Sequence, residues 1–226
     1  MSMNEMHKAR RIMVDNQIRT FDVTDQALLT AFEVVPREAF VGPADRAIAY
    51  ADRPLTLGAG ALARPLLPPL ILARLLQALE PRPGDVALDV LGGAGYGAAL
   101  LASMGLQVTL LETDPGHAET ARKAAAEAGV TVTIAPAAGQ LSAETVPSLP
   151  LASFDCILIN GAVERDPKGL IALLREGGRL AVILRENGIS RAYLYVKSGE
   201  TTGRRRIVDV QAPILPGFAL EPVFEF

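Results

Sequence analysis

Tryptophan is absent from this 226-residue sequence, cysteine occurs once, histidine twice, and aromatic residues make up only 5%. A single cysteine excludes a disulfide framework and a thiolate metal site. Cys156, inside the apolar run FDCILIN, reads as a small buried filler rather than a nucleophile. His7 and His117 are far apart, and neither has a cysteine or second histidine at ligand spacing. No metal is therefore expected, and a Ser-His-Asp triad has no histidine in place. Basic excess is missing too: Lys and Arg total 22 against 25 Asp and Glu, for a net charge of −3, which argues against a nucleic-acid partner. The one basic run, residues 204–206, reads as a solvated turn or strand end.

Long hydrophobic runs are also lacking. The longest apolar stretch, residues 98–107, is far shorter than the roughly 20 residues a spanning helix needs, and the run at 66–73 carries Pro68 and Pro69. The opening MSMNEMHKARR has no apolar core of a signal peptide. The expectation is a soluble, cytoplasmic chain with no membrane partner. A mean hydropathy of +0.26 and 50% hydrophobic residues then point to a large buried core.

What is present has an ordered pattern. Apolar spacing predicts helices over residues 5–18, from Thr24 to Pro36, and over 69–79, with a Gly/Pro-rich passage at 53–69 that reads mostly as loop. From residue 86 onward strands alternate with helices. Strands are expected at 86–91, 107–112, 130–135, 154–160 and 179–184, with helices at 95–104, 115–128 and 168–175. Two further strands follow residue 191, joined by a turn at 198–203. That alternation implies βαβ units and a parallel sheet.

The chemistry concentrates in DVLGGAGYGAALLA, residues 89–102. A strand ends at Asp89, glycines follow, and a helix opens with free N–H groups at its start. One strand later Glu112 stands at a second strand end, where an acid can take both hydroxyls of a ribose. Together these predict a loop that cradles an adenosine-containing ligand. Gly93, Gly95 and Ala98 satisfy the loose dinucleotide pattern G-x-G-x-x-A, so a nicotinamide cofactor is one alternative. The acid in Asp89-x-x-x-Gly93-x-Gly95 favours S-adenosylmethionine, because a carboxylate would repel a pyrophosphate but meets an ammonium and a sulfonium well. No G-x-x-x-x-G-K-[ST] loop occurs.

The stretches MVDNQIR (13–19), VTDQALLTAFEVVPREAFV (23–41) and AYADRPLTLGAG (49–60) resemble the protein-L-isoaspartate O-methyltransferase family, with VPREAFV the most specific part. FDCILINGA (154–162) and LREGGRLAV (174–182) continue the likeness, which spans about residues 11–226 and is weakest in the tail. The resemblance implies an α/β, Rossmann-like S-adenosylmethionine-dependent methyltransferase fold. Its central, mostly parallel sheet would carry helices on both faces and an N-terminal helical extension. It implies one domain over residues 1–226, with N-terminal helices and a substrate loop to residue 80 and the Rossmann-like core and C-terminal strands beyond. The implied activity is methylation of the carboxylate of L-isoaspartyl residues in damaged proteins. The partner is then a peptide or protein substrate; the oligomeric state is left open. The candidate cofactor set is Asp89, Gly93, Gly95, Tyr96, Glu112, Thr113 and Asn160.

The sequence departs from the family pattern in three places. The substrate loop G-x-T-I-S-x-P is matched by Gly60-Ala61-Leu62-Ala63-Arg64-Pro65, so Ala63 falls where the serine is expected. Arg64 beside it is the candidate to hold a substrate carboxylate, with an exposed loop arginine as the plain alternative. Leu91 replaces the first glycine of the cofactor loop, and Ala135-Pro136-Ala137 replaces a G-D-G whose acid would bind the adenine amino group. Loss of a serine hydrogen bond is expected to cost about 10- to 1000-fold in rate. Two other readings stay open beside the repair enzyme: a catalytically impaired methyltransferase scaffold that serves as a binding module, and a methyltransferase with a different acceptor.

Overall fold

The computed structural model describes residues 3–136, 141–144 and 148–220. Helix α1 (Met3–Met13) continues through a wide turn at Val14–Ile18 and a tight one at Arg19–Phe21, and ends at Asp22 with a left-handed φ of 60°. Helix α2 (Gln26–Val34) is capped by Asp25, one residue later than the expected start, with its carboxylate accepting from the Leu28 amide at 3.0 Å.

Residues 53–69 differ from the expected loop. They contain an antiparallel hairpin, β1 (Leu55–Leu57) with β2 (Arg64–Leu66), in which Leu57 faces Arg64. Leu55 and Leu57 point inward and Thr56 outward, and that alternation is what a half-buried strand requires. Pro65 is tolerated because the ribbon has only two strands and its missing N–H breaks no interior ladder. Helix α3 (Pro69–Ala78) follows, with Pro at its first position.

The remaining elements alternate: β3 (Val86–Val90), α4 (Tyr96–Ser103), β4 (Gln107–Glu112), α5 (Pro115–Glu127), β5 (Thr133–Pro136), β6 (Phe154–Val163), α6 (Lys168–Ile171), β7 (Leu174–Glu186), β8 (Ile189–Ser198) and β9 (Thr201–Asp209). Several boundaries move from expectation, the strands at 154–160 and 179–184 lengthening to 154–163 and 174–186 and the one at 130–135 starting only at Thr133. The helix expected over 168–175 stops at Ile171, because β7 already begins at Leu174. The turn expected at 198–203 narrows to Gly199 and Glu200. The seven-stranded sheet has the order β5-β4-β3-β6-β7-β8-β9, with the first five strands parallel and β8 running antiparallel to both of its neighbours, β7 and β9. The direction of winding reverses at β3, which has β4 on one side and β6 on the other. The crevice at that switch point is where open α/β sheets bind ligands.

The strands read as continuous apolar runs because both faces are buried. Alternate residues enter two cores. Ala87, Leu158 and Ile183 pack with the N-terminal helices, α4 and α5, while Leu88, Ile157, Ile159 and Val182 pack on the opposite face. The helical cover on that second face is slight among the described residues. It is α6 plus irregular chain that brings in Leu215 and Phe218. A Cβ on Gly161 would stand 2.6 Å from the Leu215 side chain, so a glycine there lets this chain lie close. No helix among the described residues is long and apolar enough to cross a membrane.

Candidate functional site

The residues singled out in the sequence converge at the carboxyl ends of β3 and β4. Asp89 lies within β3 and is fully buried. Its Oδ1 accepts from the side-chain amide of Asn160, two residues beyond its β6 register partner Leu158, while Oδ2 has no hydrogen-bond partner. Burial pushes this carboxyl up to about 7, opposed by the Ala98 backbone N–H and the Asn160 amide. Two glycines that spacing had not marked box the group in. A Cβ on Gly92 would stand 2.7 Å from Oδ2, and one on Gly97 would stand 3.1 Å from it. The signal for these two lay only in the density of glycines after the strand.

Glu112 ends β4 and is 1% exposed. Its Oε2 accepts from the Gly93 amide at 3.1 Å, and its Oε1 from the amides of Thr113 at 2.8 Å and Asp114 at 3.1 Å. Gly93 is in the left-handed region, φ 58°, which turns its N–H toward the acid. The glycine loop and the end of β4 are thus tied through the very carboxylate that sequence pattern assigned to a ribose.

Arg64 changes the picture. It is neither an exposed loop arginine nor an open clamp for substrate: it is 2% exposed, and its guanidinium lies on Glu112. Nη2 donates to Glu112 Oε1 at 2.7 Å and to Thr113 Oγ1 at 2.8 Å, and Nε donates to both Glu112 oxygens at 3.2 and 3.3 Å. Nη1 donates to the carbonyls of Leu62 and Ala63, both at 3.3 Å. The physical reason is pairing: a carboxylate this deeply buried gains a counter-charge, and the hairpin register puts Arg64 where it can supply one.

Other members of the set have different duties. The Tyr96 ring is fully buried, edge-on to Phe32 and Phe40 at 6.0 and 5.2 Å between centroids, with the Arg37 guanidinium 4.9 Å over its face. It anchors the start of α4 to the N-terminal segments rather than lining a cofactor space. Arg37, from the most family-specific motif, is fully buried and donates to the carbonyls of Ala49 and Leu67, both at 2.7 Å. Gly95, φ 79°, serves close packing: a Cβ there would meet Ala121 and Leu110 at 3.2 Å.

Leu91 adopts the left-handed φ of 52° that a glycine would take freely. Its side chain is buried in the second-face core, which offsets the roughly 1–2 kcal/mol such a backbone costs a non-glycine residue. Pro136 ends β5 opposite Glu112, and Ala137 lies outside the described residues. Ala63 offers no hydroxyl, and its own amide is spent on Gly60 O at 3.1 Å.

A cleft of about 860 Å³ opens beside this core. Its walls include Gly58, Ala59 and Leu62 of the hairpin loop, Ala94 of the glycine turn, and His117 of α5, with Arg46 and Lys123 also on the lining. His117, unassigned by sequence reasoning, donates from Nε2 to Leu62 O at 2.9 Å.

Comparison with known proteins bears on the fold and the family. The family described as Protein-L-isoaspartate(D-aspartate) O-methyltransferase (PCMT) matches residues 8–211. A protein-L-isoaspartate O-methyltransferase of Methylorubrum extorquens is 39% identical, over 77% of this chain and 73% of its own. One from Koribacter versatilis is 33% identical, over 88% and 87% of the two chains. Among solved structures, a protein-L-isoaspartate O-methyltransferase superposes with a TM-score of 0.75 at 20% identity, over 92% of this chain and 65% of that one. A second, from Plasmodium falciparum and in complex with S-adenosyl-L-homocysteine, gives 0.74 at 20% identity, over 91% and 97%. These two likenesses bear on the fold, and the sequence relatives carry the rest: the chain belongs to the protein-L-isoaspartate O-methyltransferase family.

Proposed function

We propose that this protein is an S-adenosylmethionine-dependent methyltransferase that esterifies the carboxylate of L-isoaspartyl residues in damaged proteins. The observation that carries the reading is the meeting of the glycine loop with the β4 acid, Gly93 N to Glu112 Oε2 at 3.1 Å, at the switch point of the sheet. The donor set fits the cofactor. Glu112 would take the ribose hydroxyls, the turn at Gly93 would admit the ligand backbone-close, and the partnerless Asp89 Oδ2 is an acceptor waiting for a cationic neighbour. When bound, S-adenosylmethionine supplies an electrophilic methyl on a sulfonium and leaves as S-adenosylhomocysteine. The acceptor carboxylate is ionised at neutral pH, so the chain needs no general base. Its residues act by aligning the acceptor and excluding water.

The acceptor segment lies in the cleft beside the hairpin loop, where Arg46 and Lys123 stand among Asp45, Asp114 and Glu127 and can meet a single substrate carboxylate. With Ala63 in the serine's place, alignment is weaker than in relatives carrying the hydroxyl. The setting is the cytoplasm, where the lone Cys156 thiol, pushed by burial up to about 12, stays inert. Titration calorimetry with S-adenosylhomocysteine, followed by transfer of a labelled methyl group to an isoaspartyl peptide and its aspartyl control, tests the reading. Binding and label on the isoaspartyl peptide alone are expected. Label on neither peptide from a protein that binds the product would point to another acceptor. A scaffold role is favoured by one observation, the Arg64–Glu112 pair across the ribose acid, and it predicts no nucleoside binding at millimolar ligand.

A further inference from the structure

Glu112 is already fully occupied. Its two oxygens accept from Arg64 Nε and Nη2 and from the amides of Gly93, Thr113 and Asp114. A ribose offers the same carboxylate two neighbouring O–H donors, in the same paired geometry in which Arg64 offers N–H donors. The two cannot be accepted together by a group only 1% exposed. Arg64 also fills the space above the glycine loop. A Cβ on Gly93 would lie 3.0 Å from Arg64 Cβ and 3.0 Å from Leu57 Cδ1, so the hairpin sits directly on the turn.

We infer that Arg64 is an internal competitor for the ribose subsite, and that the loop between β1 and β2 is a latched cover which must release Arg64 before the cofactor enters. The loop is built for such a movement. Gly58 and Gly60 both hold positive φ, 75° and 61°, and stand on the β1 side of the segment that carries Leu62, Ala63 and Arg64, where a change of backbone angle would swing it. A second latch lies further along: His117 Nε2 on Leu62 O at 2.9 Å, with the imidazole ring close enough to Gly58 that a Cβ there would stand 3.2 Å from it. Every N–H of the guanidinium has an acceptor, from Glu112, Thr113 Oγ1 or the loop's own carbonyls at Leu62 and Ala63. The latch therefore stiffens the loop as well as blocking the acid.

The inference rests on the cofactor reading above, and binding measurements separate the two. A site competent for only a fraction of the time binds with an affinity reduced by that fraction. R64Q keeps a polar group of similar reach but loses the charge and the fork. It should bind S-adenosylhomocysteine about tenfold more tightly than the unmodified chain, or bind where the unmodified chain does not. Equal or weaker binding by R64Q overturns the latch and leaves the methyltransferase reading standing. Absence of binding in both chains overturns both. Should R64Q fail to fold, a crystal of the unmodified protein soaked with S-adenosylhomocysteine provides a second measurement. Ribose oxygens on Glu112 with the guanidinium moved off it support the inference, and a nucleoside bound beside an intact Arg64–Glu112 pair refutes it.

Discussion

Two carboxyl groups stand at adjacent strand ends, each almost completely shielded from water, and they have opposite surroundings. Asp89 has one oxygen satisfied by Asn160 and one with no partner, and burial raises it to about 7. Glu112 has a counter-ion and three backbone amides. The contrast separates a group left under-satisfied, as ligand sites often are, from one whose ligand position the chain has filled with its own side chain. The strands dictate where both acids lie. The hairpin, delivered by a distant part of the sequence, dictates which of them is free.

The largest effect should come from breaking the satisfied side. E112A would leave the Arg64 guanidinium buried with no carboxylate, and the expected loss is about 3–5 kcal/mol in urea-denaturation stability. E112Q should lose less, since the amide oxygen still accepts from the backbone. If Arg64 and Glu112 act as one unit, R64Q combined with E112Q should cost much less than the two single losses added together. Additive losses would mean that the pair seen at 2.7 Å contributes little as a pair.

An intermediate effect is expected on the Asp89 side, and it depends on pH. The native carboxyl titrates near 7, above the ordinary value of 3.8, so the unfolded chain releases this proton at lower pH than the native one does. The contribution of Asp89 to stability is therefore fully present below pH 3.8, is lost as pH rises toward 7, and stays lost above it. D89N replaces the buried anion by a neutral group. It should be more stable than the unmodified protein at pH 8, by about 1–3 kcal/mol, and should show little gain at pH 5. Denaturation midpoints at the two pH values measure it. A variant equally destabilised at both would show that the carboxylate is paired in a way the partnerless Oδ2 does not suggest.

Much of this was legible in the sequence, and the reasons are physical. Periodicity exposed β3, β4, α4 and α5 nearly to the residue, because strands buried on both faces are continuously apolar and the connecting helices are not. Asp89, Gly93 and Glu112 were readable because each sits at a fixed offset from an element boundary. The hairpin at residues 55–66 was hidden: its strands are three residues each, too short for a period to register, and the second carries a proline. Arg64 was marked in the sequence but its pairing with Glu112 was not, for a related reason. Nothing local signals that a residue of one short strand will meet an acid 48 positions away; only the register Leu57 to Arg64 and the packing of that hairpin on Gly93 decide it. Tyr96 misled for the opposite reason. It follows a cofactor loop in sequence, but a helix opening turns successive side chains to different faces, and this one turns into the aromatic core.

The smallest expected effect sharpens the comparison most, because it loosens the cover without touching either acid. His117 contributes one hydrogen bond, to Leu62 O, at the edge of the cleft. H117A should cost only about 0.5–1.5 kcal/mol in global stability. Its amide exchange should rise chiefly at Leu62 and Ala63, the residues whose positions the bond fixes, while the amides of Gly93 and Thr113 that bind Glu112 stay protected. Since Arg64 would still lie on Glu112, the gain in S-adenosylhomocysteine affinity should be smaller than that of R64Q. An equal gain would shift the latch from the ion pair to the histidine, and would mean that the occupied state of Glu112 follows from where the loop is held rather than from the attraction between the two charges.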